Sequence, residues 1–248
     1  MDKVLLVTGG GRGIGAATAR QAAQAGWAVA VNYAANALAA DEVVRAIRAA
    51  GGRALAVQGD VADEAQVLRM FETVDAKLGR LTGLVNNAGV VDVTARLDEM
   101  SVARWRRMFD INVIGSMLCA REAVRRMSTR HGGSGGAIVN LSSAASRLGS
   151  PGQYVDYAAA KGAIDAFTIG LAKEVAFEGI RVNAVRPGLI ETEIHASGGL
   201  PDRVRDLSHQ VPMQRGGTAD EVAQAIVWLL SDAASYTTMS LLDVSGGR

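Results

Sequence analysis

Val4-Leu5-Leu6-Val7-Thr8-Gly9-Gly10-Gly11-Arg12-Gly13-Ile14-Gly15 is the stretch whose reading decides the fold. Four apolar residues without polar alternation read as a strand buried on both faces, and such strands belong to parallel sheets. The glycines then turn the chain into a helical pattern over residues 14–25. The same alternation runs to the end of the chain. Apolar runs at 28–31, 54–57, 81–85, 137–141, 180–185 and 241–244 are separated by helical patterns at 38–49, 64–78, 102–127, 154–177 and 219–230. Six strand–helix units and a last strand predict an α/β fold: one doubly wound, seven-stranded, mainly parallel sheet with right-handed crossovers. Gly132-Gly133-Ser134-Gly135-Gly136 reads as a helix-to-strand return, because the alternation continues across it. Residues 1–248 are therefore expected to form one domain. Residues 188–217 show no clear strand and follow the sixth one, so they predict a loop over the carboxyl edge of the sheet. A short helix near 202–209 is expected inside it.

Composition narrows the partners. The 26 Lys and Arg nearly balance 25 Asp and Glu, which gives no reason to expect a nucleic-acid or anionic-membrane partner. A single cysteine, Cys119, rules out an intrachain disulfide, and its helical apolar neighbours predict a buried thiol. No signal-peptide pattern and no apolar run long enough to span a bilayer are present, so a cytoplasmic protein is expected.

The glycine turn sits at the first strand–helix junction, where backbone without side chains can approach a pyrophosphate at a helix N-terminus. Gly9, Gly13, Ile14 and Gly15 are the residues expected at that dinucleotide site. An NAD-preferring site usually places Asp or Glu at the end of the second strand, about 20 residues after the glycines, on the ribose 2′-hydroxyl. Here that stretch is Asn32-Tyr33-Ala34-Ala35-Asn36, and Asp41 and Glu42 fall inside the next helix. Arg12, in the turn itself, can meet a 2′-phosphate. NADP(H) is therefore expected in preference to NAD(H), with Asn32 and Tyr33 beside the adenosine.

Tyr157 and Lys161 lie one helical turn apart on one face. A phenol with a pKa near ~10 is a poor proton carrier at neutral pH, and a fixed cation beside it favours phenolate. The pair could carry proton transfer. Alone it is equally a half-buried Tyr beside a solvated Lys.

Further motifs fall into order around this pair: Asp60-Val61 after the third strand, Asn86-Asn87-Ala88-Gly89 after the fourth, and Asn112 within the long helical pattern. Ser142-Ser143 follows the fifth strand, and Pro187-Gly188 with Thr192 follows the sixth. Together with the glycine turn they resemble the short-chain dehydrogenase/reductase family over essentially the whole chain, and in particular bacterial glucose-dehydrogenase-like and 3-oxoacyl-carrier-protein-reductase-like members. The resemblance implies a Rossmann fold and an oxidoreductase interconverting a carbonyl and a secondary alcohol. It implies Tyr157 as general acid/base, Lys161 on the nicotinamide ribose and lowering the phenol pKa, and Ser143 on the substrate oxygen with Ser142 in reserve. Asn112 would hold a relay water. Asp60 would meet the adenine amine with Val61 packed nearby. Asn87, Ala88 and Gly89 would line the cofactor cleft, and Pro187, Gly188, Ile190 and Thr192 would flank the nicotinamide. A homotetramer is the family's usual assembly.

Two other readings stay open. One is a 3-oxoacyl-carrier-protein reductase, for which Arg203, Arg205 and Arg215 would have to meet an acidic carrier. The other is a catalytically silent NADP-binding regulatory protein. His195 and His209 lack carboxylate or thiolate partners at ligand spacing, so no metal is expected. Arg121, Arg125, Arg126 and Arg130 read as a solvated face near a helix C-terminus.

Overall fold

The computed structural model describes residues 3–194 and 198–248. Seven strands form one sheet in the order β3-β2-β1-β4-β5-β6-β7: β1 Val4–Val7, β2 Ala28–Tyr33, β3 Ala54–Gln58, β4 Gly83–Asn86, β5 Gly136–Leu141, β6 Ile180–Pro187 and β7 Leu241–Val244. All six neighbouring pairs are parallel, where a mainly parallel sheet was expected. Chain order reverses between β1 and β4, and ligand clefts open at the carboxyl ends of the strands flanking such a point.

Period-two alternation sends each strand's side chains into two cores. Leu5, Val7, Val29 and Val31 face α1 Gly13–Gln24, α2 Ala37–Ala49 and the last long helix, α9 Ala219–Leu230. Val4, Leu6, Ala28 and Ala30 face α3 Glu64–Leu78, α5 Gly115–Met127 and α7 Val155–Val175. Phe71 and Ile226, fully buried on opposite faces, anchor these layers. Truncating Phe71 to Ala would cost about 3–5 kcal/mol.

Three differences from the sequence reading bear on the site. The pattern at 102–127 is not one helix: α4 Val102–Phe109 passes through a π-helical turn, Asp110–Ile114, before α5. The side chain of Asn112 explains the widening, because its Nδ2 donates to the Met108 carbonyl (2.9 Å) and reaches Val90 O (3.1 Å). The connection after β5 holds a short helix, α6 Ala145–Leu148, closed by Gly149 at φ +72°. Several strand and helix ends also shift by one or two residues.

The segment after β6 carries α8 Arg203–Leu207 and a 3-10 turn at Ser208–Gln210, where a short helix was expected. An Ile190–Gly217 bridge closes its base. His195 lies outside the described residues.

Candidate active site

The glycine turn opens α1 with an unsatisfied end. α2 is capped by Asn36, α3 by Asp63, and α9 by the reciprocal Thr218–Glu221 box, whereas Arg12 gives α1 no side-chain cap and its first turn has no acidic residue. The first backbone N–H groups of a helix need an acceptor, and its dipole favours an anion there. A cleft runs from this helix end between β2, β3 and β4. It is lined by Gly9, Arg12, Gly13, Ile14, Asn32, Tyr33, Asp60, Val61, Asn87, Ala88, Gly89 and Thr192. Gly15 is not among its walls. A Cβ there would come 2.5 Å from Asn87 Nδ2 and Gly9 O, so Gly15 lets the turn pack on β4 and corrects the expectation that it lines the site.

Asn32 lines this cleft and also braces it. Its Oδ1 accepts from Gly9 N (3.1 Å) and its Nδ2 donates to Gly59 O (2.9 Å) and Val57 O (3.3 Å), which ties the glycine turn to the end of β3. Its polar atoms are therefore spent on the protein. Asn87 braces the other side, donating to Thr8 O (2.8 Å) and Gly9 O (3.0 Å). Asp60 keeps one oxygen for the cleft, because only Oδ1 accepts a protein bond, from Ala62 N (3.0 Å). Around the β2 end of the cleft stand Tyr33, Ala34, Ala35, Asn36 and Arg12, while Asp41 and Glu42 are exposed on α2 outside it. The exposed Arg12 guanidinium makes no hydrogen bond or ion pair with the described residues.

A second cleft shares Ile14, Asn87, Gly89 and Thr192 with the first and holds Tyr157, Lys161, Asn112, Pro187, Gly188 and Ile190. Tyr157 and Lys161 lie on one face of α7, with Nζ 5.5 Å from the phenol ring centroid. Lys161 Nζ donates to Leu141 O at 2.6 Å. Burial pulls the ammonium pKa down to about 8, partly opposed by the Asp165 carboxylate. Burial pushes the Tyr157 phenol up to about 12, and a hydrogen bond with Ser143 works against that rise. The expected lowering of the phenol by Lys161 is not seen here: burial dominates, and the group that opposes it is Ser143. Ser142 is occupied: its hydroxyl is buried and donates to Lys161 O (3.2 Å). Ser143 Oγ accepts from Ala145 N (3.1 Å) at the start of α6, and Ser143 is the side chain that holds the phenol pKa down against burial.

Asn112 is fully buried, and its Oδ1 accepts from Val90 N (3.2 Å). A Cβ on Gly89 would come 2.7 Å from that oxygen and 3.7 Å from Lys161 Nζ, so Gly89 alone separates the two groups. Beneath them Asn86 donates to Asn140 Oδ1 (2.9 Å), Asn140 to Thr168 Oγ1 (2.9 Å), and Thr168 to Ile164 O (2.8 Å). This buried chain fixes β4, β5 and α7 in register under the site.

The matching family, described as Enoyl-(Acyl carrier protein) reductase, covers residues 9–248. "Uncharacterized oxidoreductase YgfF" of Escherichia coli (strain K12) is 58% identical over 99% of both chains. The 3-oxoacyl-[acyl-carrier-protein] reductase of Synechocystis sp. is 40% identical over 99% of this chain and 96% of that protein. Among solved structures, a mutant of a Serratia marcescens short-chain dehydrogenase/reductase superposes with TM-score 0.90 at 33% identity, over 99% of this chain and 97% of that one. The chain belongs to the short-chain dehydrogenase/reductase family.

As a short-chain dehydrogenase/reductase it is an oxidoreductase acting between CH–OH and carbonyl with a nicotinamide cofactor. Its residues fit that cofactor. The uncapped α1 terminus suits a pyrophosphate, the open oxygen of Asp60 suits an amine donor, and both clefts meet at Gly89 and Thr192.

Sequence reasoning missed two elements of this oxidoreductase's site. Asp156, directly before Tyr157, is buried and takes a bidentate pair from Arg104 (Nε–Oδ2 2.7 Å, Nη2–Oδ1 3.1 Å). Arg104 also reaches Val93 O (2.6 Å), and Asp156 accepts from Tyr157 N (2.9 Å), so one pair joins α4, the 90–96 loop and α7. The only sequence signal was an acid beside Tyr157. The other is Arg203, expected on a carrier surface, which stacks on Tyr154 (5.3 Å) and lines the second cleft. Arg205 and Arg215 instead pair with nearby acids.

Two more expectations resolve here. Arg121, Arg125 and Arg126 are not a simply solvated face, because all three pair with the buried Glu122, and Arg121 and Arg126 also reach Glu64 and Asp75. Cys119 is buried as expected, and burial with Glu122 nearby pushes its thiol up to about 12. Among the described residues no helix is long and apolar enough to cross a membrane.

Proposed function

We propose that this enzyme is an NADP(H)-dependent carbonyl reductase and alcohol dehydrogenase in which Tyr157 is the general acid/base. The observation that carries the reading is that Tyr157 faces the same cleft as Lys161 and Asn112, against the wall of Ile14, Asn87, Gly89 and Thr192 that both clefts share. A bound nicotinamide supplies or takes the hydride. Tyr157 then gives its proton to the carbonyl oxygen, or accepts one from the alcohol in reverse. The Ser143 hydroxyl accepts from Ala145 N and keeps its own proton to donate to the same oxygen as charge builds there. Lys161 stands behind the phenol to hold the cofactor ribose. Asn112 Oδ1 retains a lone pair beyond its bond to Val90 N, enough to hold a water that refills the proton.

NADP(H) in preference to NAD(H) rests on the unpaired Arg12 and on an adenosine wall without a carboxylate at the end of β2. Residues 1–248 act as one catalytic domain, with 188–217 covering the substrate. A homotetramer is supported by two separate apolar faces. Phe109 (37% exposed), Ile114 (44%) and Met117 (37%) lie on the α4–α5 side, and Trp228 (42%) and Met239 (42%) lie near β7. Dihedral assembly needs two such faces. Light scattering that gives a monomer at micromolar concentration contradicts it.

The test is NADPH consumption against ketones, aldehydes, quinones and 3-oxoacyl thioesters, with Tyr157→Phe alongside. Turnover on at least one small carbonyl, lost in Tyr157→Phe, is expected. Turnover of carrier-bound thioesters alone would select the 3-oxoacyl-carrier-protein reductase reading. Tight NADPH binding with no turnover on any compound would select the regulatory one.

A further inference from the structure

The substrate cleft contains a cation that the proton-transfer chemistry leaves unused. Arg203 begins α8, lies half-buried against the Tyr154 ring, and lines the cleft that holds Tyr157. Tyr154 precedes Tyr157 by three residues at the start of α7, a separation of about one helical turn. Arg203 has acids on both sides in sequence, Asp202 and Asp206, yet both pair with Arg205 (2.9 and 3.1 Å). Among the described residues the Arg203 guanidinium has no carboxylate and no hydrogen-bond acceptor. Among the described residues no Asp or Glu lines that cleft, and the second cation there, Lys161, is engaged with Leu141 O.

A half-buried guanidinium without an anion is costly to maintain. Burial pulls its pKa down, and the nearby Arg248 does the same. Val91, Ala145, Tyr154 and Ile194 give the cleft apolar wall and Ser150 adds a hydroxyl, so it combines apolar surface with a guanidinium and a phenol. Planar guanidinium groups match carboxylates bidentately.

From this arrangement we infer that the substrate of the proposed reaction is a keto or hydroxy acid whose carboxylate docks on Arg203 while its carbonyl or hydroxyl oxygen lies at Tyr157. The inference rests on the carbonyl-reductase reading and adds the substrate's charge to it. The carboxylate takes no part in bond making. It orients the substrate, and the proton and hydride go to the carbonyl group alone.

The test compares charged and neutral versions of one molecule in the NADPH-saturated enzyme. The probes are 3-oxobutanoate, 4-oxopentanoate and 5-oxohexanoate, each with its methyl ester and amide. Binding of the same acids to the enzyme–NADP+ complex is measured by calorimetry, which needs no turnover. At least one acid is expected to bind, and to react, about 10-fold to 100-fold better than its ester. Arg203→Met should reduce that ratio to near one, and Arg203→Lys should keep part of it. Arg205→Met, whose partners are Asp202 and Asp206, should leave the ratio unchanged. Melting temperatures establish that each variant is folded.

Equal binding of every acid and its ester, or a preference that survives Arg203→Met, overturns the inference. A carbonyl-reductase function would still stand if neutral ketones are reduced and Tyr157→Phe stops them. A preference for acetoacetyl-pantetheine 4′-phosphate over acetoacetyl-pantetheine, with no preference among the keto acids, assigns Arg203 to a phosphate and likewise overturns the carboxylate. Acid binding that depends on Arg203, without NADPH consumption on any probe, keeps the anion site and sinks the catalytic reading instead.

Discussion

Asp156→Asn changes one atom type at the root of the catalytic helix, and its cost follows from the geometry. The Asp156 side chain is 2% exposed and that of Arg104 is 9% exposed. Two Arg104 nitrogens and the Tyr157 amide converge on this one carboxylate. The amide keeps the shape but leaves the buried guanidinium with only the weaker pull of Asp92 and turns an NH2 group toward a donor. Removing one partner of a buried pair costs about 3–5 kcal/mol. For a chain of 150–250 residues each kcal/mol lowers Tm by about 2–4 °C, so a fall of about 6–20 °C is expected. Activity should fall as well, because Tyr157 follows Asp156 and a displacement near 1 Å can cost up to about 100-fold in rate. Calorimetry at fixed protein concentration reads the first effect, and single-turnover NADPH oxidation at a temperature where the variant is folded reads the second. Arg104→Met added to Asp156→Asn removes the stranded charge, so the double variant should be more stable than Asp156→Asn alone. Melting of Asp156→Asn within 2 °C of the parent with unchanged single-turnover rate would refute the reasoning, as would a double variant no better than the single.

Arg12→Ala should weaken NADP+ binding about tenfold, the worth of one charge-assisted hydrogen bond, and leave NAD+ within twofold, by fluorescence titration. Equal losses for both cofactors would contradict the 2′-phosphate assignment. Lys161 has a folded pKa near 8, below its unfolded value, so the unfolded chain binds more protons between about pH 8 and 10.4 and stability from this group rises with pH across that window. The gain is up to about 3 kcal/mol at about 1.4 kcal/mol per unit. Above about pH 10 the Tyr157 phenol, held near 12, acts in the opposite sense. Melting curves from pH 7 to 10 should therefore converge less steeply for Lys161→Met than for the parent, and identical pH slopes would count against the buried ammonium. Cys119 should resist a thiol reagent in the native protein and react on unfolding in urea. Rapid native labelling would contradict its burial.

The seven strands and their parallel sheet were legible because strands buried on both faces leave apolar runs without polar alternation. The glycine turn and the Tyr157/Lys161 spacing were legible for a related reason: each is a local pattern tied to a local geometry. The π turn at Asn112 was not legible. It arises because one amide bonds both to Met108 O within its own helix and to Val90 in a loop. Arg104 and Asp156 are 52 residues apart, and neither has a pattern that names the other. The Glu122 cluster hid for the same reason, since Asp75 and Glu64 come from a different helix. The short helix α6 was not legible either, because the sequence at 144–156 carries no clear start signal for it.

The central claim is that the Tyr157 proton, and not merely a bound cofactor, makes this an enzyme. Single-turnover NADPH oxidation by Tyr157→Phe on the best substrate of the panel tests it most directly, with NADPH affinity measured in the same samples. Phe keeps the ring that packs against Val113 and Ala160 and removes only the hydroxyl. NADPH binding within about twofold of the parent with a rate reduced at least about 100-fold is the expected result, in the range of general acid catalysis. A rate within a few-fold of the parent would mean that another group delivers the proton, and the account of the site would fail.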